Sequence, residues 1–147
     1  MKIRLAEETD VPALVEFNQA MALETEGKNL DAGVLRRGVE AVFDDDKKGF
    51  YAVAEEAGRI VGGLMVTYEW SDWRDGWFWW IQSVYVLPDR RGRGVYRRLY
   101  EFVRERARDR RVCGFRLYVE RENEGAQKVY EKLGMKASYY LMYEETI

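Results

Sequence analysis

Apolar positions recur along this chain with two periods, one helical and one strand-like. "KIRLA" (2–6) reads as a short strand. Val11, Leu14, Phe17 and Met21 then repeat at helical spacing, behind Thr9 or Asp10 as a cap and with Pro12 in the first turn. "ETEGKNLD" (24–31) breaks that helix. Leu35, Val39, Val42 and Phe43 mark a second helix, ended by "DDDKKG" (44–49). "FYAVAEE" (50–56) and "RIVGGLMVTYEW" (59–70) are strand-like, joined through Ala57 and Gly58, which predicts a hairpin. After the polar turn "SDWRDG" (71–76), the run "WFWWIQSVYVL" (77–87) is a buried strand closed by Pro88.

The second half continues the alternation. Val95, Leu99, Phe102, Val103 and Ala107 share one face of a helix over 94–110. In "VCGFRLYVE" (112–120), Cys113, Phe115, Leu117 and Val119 fall on one side of a strand, which places Cys113 in the core. "NEGAQKVYEKLG" (123–134) is a short helix stopped by Gly134, and "MKASYYLMYEE" (135–145) is a last strand. The order β-α-α-β-β-β-α-β-α-β in 147 residues predicts one domain, 1–147, of the α/β (α+β) class, a mixed sheet with helices on its faces.

Composition narrows the chemistry. There is no histidine, which removes Ser–His–Asp triads, Cys–His pairs and histidine metal sites. The single cysteine permits no internal disulfide and no zinc cluster, so no metal is expected. Proton transfer falls to Asp, Glu, Tyr, Lys, Cys113 or water. No apolar run reaches the roughly 18–20 residues of a membrane span, and "MKIRLAEETD" has no leader-like apolar stretch. The expectation is a cytoplasmic protein without a membrane partner.

Charge is unevenly placed. Residues 1–89 hold 9 basic and 17 acidic side chains, and residues 90–147 hold 15 and 9. The overall charge of −2 argues against a general nucleic-acid binder. The basic half begins with "PDRRGRGVYRR" (88–98), five arginines in eleven positions between a buried strand and a helix. A helix N-terminus carries free amides and partial positive charge, and glycines let backbone approach an anion. The Walker pattern is absent. G-x-G-x-x-G is broken, because Arg97 stands where its third glycine belongs. Arg97, Arg98, Arg104, Arg106, Arg108, Arg110 and Arg111 also suit an ordinary solvated helix surface.

"VYVLPDRRGRGVYRRLYEFV" followed by "LYVERENEGAQKVYEKLGM" resembles the GNAT superfamily of N-acetyltransferases. The pattern R/Q-x-x-G-x-G/A falls on Arg91, Gly94 and Tyr96, and N-x-x-A-x-x-x-Y-x-x-x-G falls on Asn123, Ala126, Tyr130 and Gly134. The one departure is Tyr96, where the family has a small residue. The resemblance implies a mostly antiparallel sheet with a splayed central strand pair. It implies acetyl-CoA as co-substrate, its pyrophosphate on the amides of Arg91, Gly92, Arg93, Gly94, Val95 and Tyr96, and its pantetheine arm along Val84, Tyr85 and Val86. It implies Tyr130 as partner of the departing thiolate. Asn123 either contacts coenzyme A or caps its helix.

Many relatives carry a glutamate where this strand has Gln82, which cannot act as a base. Glu24, Glu26, Glu69 and Asp72 remain as carboxylates for the acceptor side, with Glu69 or Glu24 favoured as the base. The segment "EWSDWRDGWFWW" (69–80) holds all five tryptophans near Glu69, Asp72 and Asp75. Tryptophan faces beside carboxylates suit a cationic amine, Trp70 among them. The same residues also suit packing or a homodimer surface. The leading expectation is acetyl transfer to a small-molecule or peptide amine by direct attack in a ternary complex. The alternative is a non-catalytic acyl-CoA sensor on the same fold.

Overall fold

A computed structural model describes residues 1–147. The chain forms two compact units, Met1–Leu117 and Tyr118–Ile147. In the first unit, β1 (Lys2–Leu5), β2 (Phe50–Glu56), β3 (Arg59–Ser71), β4 (Gly76–Val86) and β5 (Val112–Arg116) make one sheet in sequence order. The first three pairings are antiparallel and β4–β5 is parallel. Helices α1 (Val11–Glu26), α2 (Ala32–Asp44) and α3 (Val95–Arg106) complete this unit. The second unit holds α4 (Glu124–Lys132).

Strand alternation explains the layering. Adjacent glycines in β3 face opposite ways: a Cβ on Gly62 would meet Val95 Cγ1 of α3 at 2.9 Å, whereas one on Gly63 would lie 3.5 Å from Leu14 Cδ2 of α1. So α1 and α3 cover opposite faces, and both approach closely because β3 is bare there. On the α1 side Val11, Leu14, Val39, Val42, Tyr51 and Val53 form one buried cluster. On the α3 side Leu99 and Val103 are fully buried. Truncating such a leucine to alanine costs about 2–5 kcal/mol.

Asp10 anchors the start of α1. It is buried and accepts from Arg4 Nη1 at 2.7 Å, Arg4 Nη2 at 3.1 Å and the Glu7 amide at 2.7 Å. Burial pushes its carboxyl upward, but the Arg4 and Glu7 hydrogen bonds and the Arg4 charge outweigh that and hold it below the ordinary range.

Four expectations are corrected. The strand over 112–120 ends at Arg116, and 135–145 forms no strand. Alternation alone does not make a strand without a ladder to join, and the sheet ends at β5. Helix α1 runs past Glu24 to Glu26 before Gly27 turns left-handed at φ 63°. Cys113 is exposed, because β5 is an edge strand, and its thiol donates to the Trp77 carbonyl at 3.3 Å.

Candidate active site

The site begins at a fault in β4. Met65 pairs with Gln82 and Gly63 with Tyr85, so Ser83 and Val84 both lie opposite Leu64. This β-bulge puts Ser83 at φ 51°, a left-handed value rare for a non-glycine residue. Its effect is a change of phase. Gln82 and Tyr85, three apart, share the face covered by α1. The β4–β5 ladder runs from Trp77↔Val112 to Trp80↔Arg116 and stops there, while β4 continues to Val86. The strand pair is splayed beyond Trp80.

Past Val86 the chain enters the arginine-glycine loop. Pro88–Arg90 forms one 3-10 turn, and Gly92 and Gly94 adopt φ 74° and 78°. A Cβ at either glycine would meet nothing within 4 Å. The backbone conformation, not crowding, therefore calls for glycine, and the approach to the loop is open. Gly94 is the N-cap of α3 and no side chain caps that end. The Arg98 amide makes the bond to the Gly94 carbonyl, at 3.1 Å. Amides earlier in a helix's first turn have no intrahelical acceptor and carry the positive end of its dipole. The Tyr96 ring stacks on Tyr100 at 6.1 Å, one turn along α3, so the bulky residue follows the helix and leaves the loop clear. These features fit an anionic group such as a pyrophosphate.

Two carboxylates meet arginines on the α1 face. Glu24, near the end of α1, accepts from the Tyr85 hydroxyl at 3.0 Å through Oε1 and from Arg91 Nη2 at 2.9 Å through Oε2. Arg91 also donates from Nε to the Val86 carbonyl at 2.9 Å and lies 5.2 Å from the Tyr85 ring centroid. Its side chain thus folds back over β4. Burial pushes Glu24 upward, but the hydrogen bonds from Arg91 and Tyr85 and the Arg91 charge bring it below the ordinary carboxylate range. Burial, then the Glu24 bond and charge, raise the Tyr85 phenol.

Glu69, on β3, accepts from Arg116 Nη1 at 2.8 Å and Trp80 Nε1 at 3.1 Å, both at Oε1. Arg116 reaches from β5 across Phe78 of β4, its Cζ 3.5 Å from the ring centroid. Gln82 donates to the Thr67 hydroxyl.

Trp70, Asp72 and Glu26 belong to neither cluster. Trp70 neighbours Glu69 on β3 and therefore faces the opposite side of the sheet, its ring edge-on to Trp77 at 4.9 Å. Asp72 is exposed and accepts the Trp73 amide at 2.9 Å. Glu26 is exposed and pairs with Lys28 at 3.8 Å. In the second unit Asn123 caps α4, its Oδ1 accepting from the Ala126 amide at 3.2 Å. Tyr130 is half-buried on α4, and burial raises its phenol above the usual value. Sequence reasoning missed Ser83, Phe78 and Arg116. The only signal for Arg116 was a lone charge in an apolar strand.

The chain belongs to the acetyltransferase (GNAT) family, whose model matches residues 16–135. It is 31% identical over 142 residues to the L-amino acid N-acyltransferase MnaT of Escherichia coli (strain K12), covering 91% of this chain and 78% of that protein. The solved structure of a possible acetyltransferase from Clostridium difficile 630 superposes with a TM-score of 0.92 at 44% identity, covering 99% and 97% of the two chains. A structure described as a transcriptional regulator from Bacillus halodurans C-125 gives 0.84 at 26% identity, covering 99% of each chain. The fold is that of the family: an α/β domain with a five-stranded, mostly antiparallel open sheet and four helices.

Proposed function

We propose that residues 1–147 act as one catalytic domain that moves an acetyl group from acetyl-CoA to a primary amine, by direct attack in a ternary complex. The observation that carries this reading is the uncapped α3 N-terminus, with two left-handed glycines, at the end of a bulged and splayed strand. Amides of Gly92 to Tyr96 hold the pyrophosphate, with the exposed Arg93 adding positive charge. The open edge of β4 around Val84 to Val86 holds the pantetheine arm as an added strand. Acetyl-CoA, when bound, supplies the acyl group as a thioester.

The chain's own residues handle protons and position. An N–C bond forms, a C–S bond breaks, and the acceptor nitrogen loses a proton. Glu69 takes that proton, directly or through water, because its Oε2 is left for a new donor. Glu24 has both oxygens occupied and instead ties α1 to the loop. Gln82, fixed by Thr67, positions the acceptor. Tyr130, kept protonated by burial, donates to the leaving thiolate. Asn123 is spent on capping α4 and serves the coenzyme only by holding that helix.

The name of the curated relative makes amino acids the first acceptors to test. The unpaired Cys113 suits a reducing compartment, so the reading places the enzyme in the cytoplasm. Free-thiol release from acetyl-CoA, assayed across simple amines, polyamines, amino acids and peptides, tests it. Amine-dependent release with an acetylated product is expected. Tight acetyl-CoA binding with no turnover on any amine overturns it in favour of a sensor.

A further inference from the structure

The guanidinium of Arg116 is held more closely than a surface arginine requires. It sits on the Phe78 face with Cζ 3.5 Å from the centroid and bonds Glu69 at 2.8 Å. Phe78 is itself fixed. It is 8% exposed, and its ring lies so close over β5 that a Cβ on Gly114 would come within 2.7 Å of it. Arg74 approaches the same ring, its Cζ at 5.0 Å. Glu69 is held from a second side by the Trp80 indole. Arg116 also pairs with Trp80 in the last rung before β4 and β5 separate. A guanidinium on a ring and an anchored carboxylate therefore stand side by side at the mouth of the gap.

Both charges keep exposed surface, 34% for Arg116 and 44% for Glu69. Arg116 bonds Glu69 through Nη1 alone, and Glu69 uses only Oε1. Each retains capacity for an incoming partner of opposite charge. A plain cation such as a polyamine meets Glu69 but also faces Arg116 and Arg74. A molecule with an ammonium and a carboxylate a few ångströms apart satisfies both charges at once. An aromatic shelf would not discriminate between these, whereas this pair does.

Resting on the acyltransferase reading, we propose that Arg116 and Glu69 form a carboxylate-and-ammonium subsite that selects free amino acids over amines lacking a carboxylate. Arg116 binds the carboxylate, and Glu69 Oε2 receives the ammonium and takes the proton it must lose before the neutral nitrogen attacks the thioester. Phe78 pre-orients the guanidinium, so little freedom is lost on binding.

The test compares L-tryptophan, L-leucine and L-serine with their carboxamides, which keep the amine and lose the negative charge. For at least one pair the acid exceeds the amide in kcat/KM by about tenfold or more, as expected of a charge-assisted hydrogen bond. Arg116→Met brings that acid-to-amide ratio close to one, and Arg116→Lys restores part of it. A wild-type ratio of one or less for all three pairs overturns the proposal without any variant, so a variant that fails to fold leaves it decidable. An unchanged ratio in folded Arg116→Met overturns it too. If simple amines turn over and the acids hold no advantage, this subsite fails and the acyltransferase reading stands. If nothing turns over, the acyltransferase reading itself has failed.

Discussion

Glu24 and Glu69 sit in clusters built from the same parts, on the same side of the sheet, and differ in one respect. Each carboxylate takes an arginine that lies on an aromatic ring, and each takes a second donor from an aromatic side chain, Tyr85 or Trp80. Around Glu24 the donors occupy both oxygens. Around Glu69 they converge on one. The first cluster is closed and joins α1 to the residues leading into the glycine loop. The second is half-open and stands where β4 and β5 part. Residue type does not separate the carboxylate assigned a structural role from the one proposed as the base. The count of occupied oxygens does.

The largest effect belongs to the loop beside the closed cluster. Gly94→Glu adds a carboxylate and a Cβ at φ 78°. Backbone strain of roughly 1–3 kcal/mol and charge repulsion should weaken acetyl-CoA binding about a hundredfold or more, read by calorimetry. If binding survives, the cradle lies elsewhere and the closed cluster loses its assigned neighbour.

Tyr130→Phe comes next and separates chemistry from binding. It should lower kcat about 10²-fold while acetyl-CoA affinity stays within about twofold. Because burial raises the phenol, the alkaline limb of the wild-type rate profile should lie above the usual tyrosine range. An unchanged kcat in the phenylalanine variant sinks the role given to Tyr130.

The smallest effect is on stability at low pH. The Glu24 carboxyl is lowered in the folded protein, so it binds protons less readily folded than unfolded. Its contribution is fully present above the ordinary glutamate value near 4.3 and is lost as pH falls through the lower folded value. Both Glu24 and Arg91 are close to half exposed, so the contribution is below about 1 kcal/mol. Thermal midpoints from pH 6 to pH 3 should fall slightly less steeply in Glu24→Gln. A steeper fall contradicts the closed arrangement.

The hairpin β2–β3 and the start of α3 were legible in the chain because local chemistry determines them. Ala57–Gly58 needs a turn, and Gly92 and Gly94 need left-handed backbone. Family motifs added the expectation of a coenzyme loop and of a role for Tyr130, which the proposed function carries forward. The bulge was not legible, since Ser83 gives no signal inside a β-branched run and the shift arises only on pairing with β3. The clusters were hidden by distance, as Glu24 meets Tyr85 61 residues on and Glu69 meets Arg116 47 residues on. Trp70 misled through proximity to Glu69: one position along a strand reverses the face. Residues 135–145 misled through alternation without a partner ladder.

The most direct test of the division between the two carboxylates is to measure acetyl-CoA affinity and acceptor kcat/KM side by side in Glu24→Gln and Glu69→Gln. Glu24→Gln releases Arg91 toward the anion-binding loop. It should tighten acetyl-CoA binding by about two- to fivefold and leave acceptor kcat/KM, measured at saturating acetyl-CoA, within about twofold. Glu69→Gln should lower acceptor kcat/KM about tenfold or more and leave acetyl-CoA affinity unchanged. The reverse pattern, or equal losses of acceptor turnover in both variants, contradicts the account.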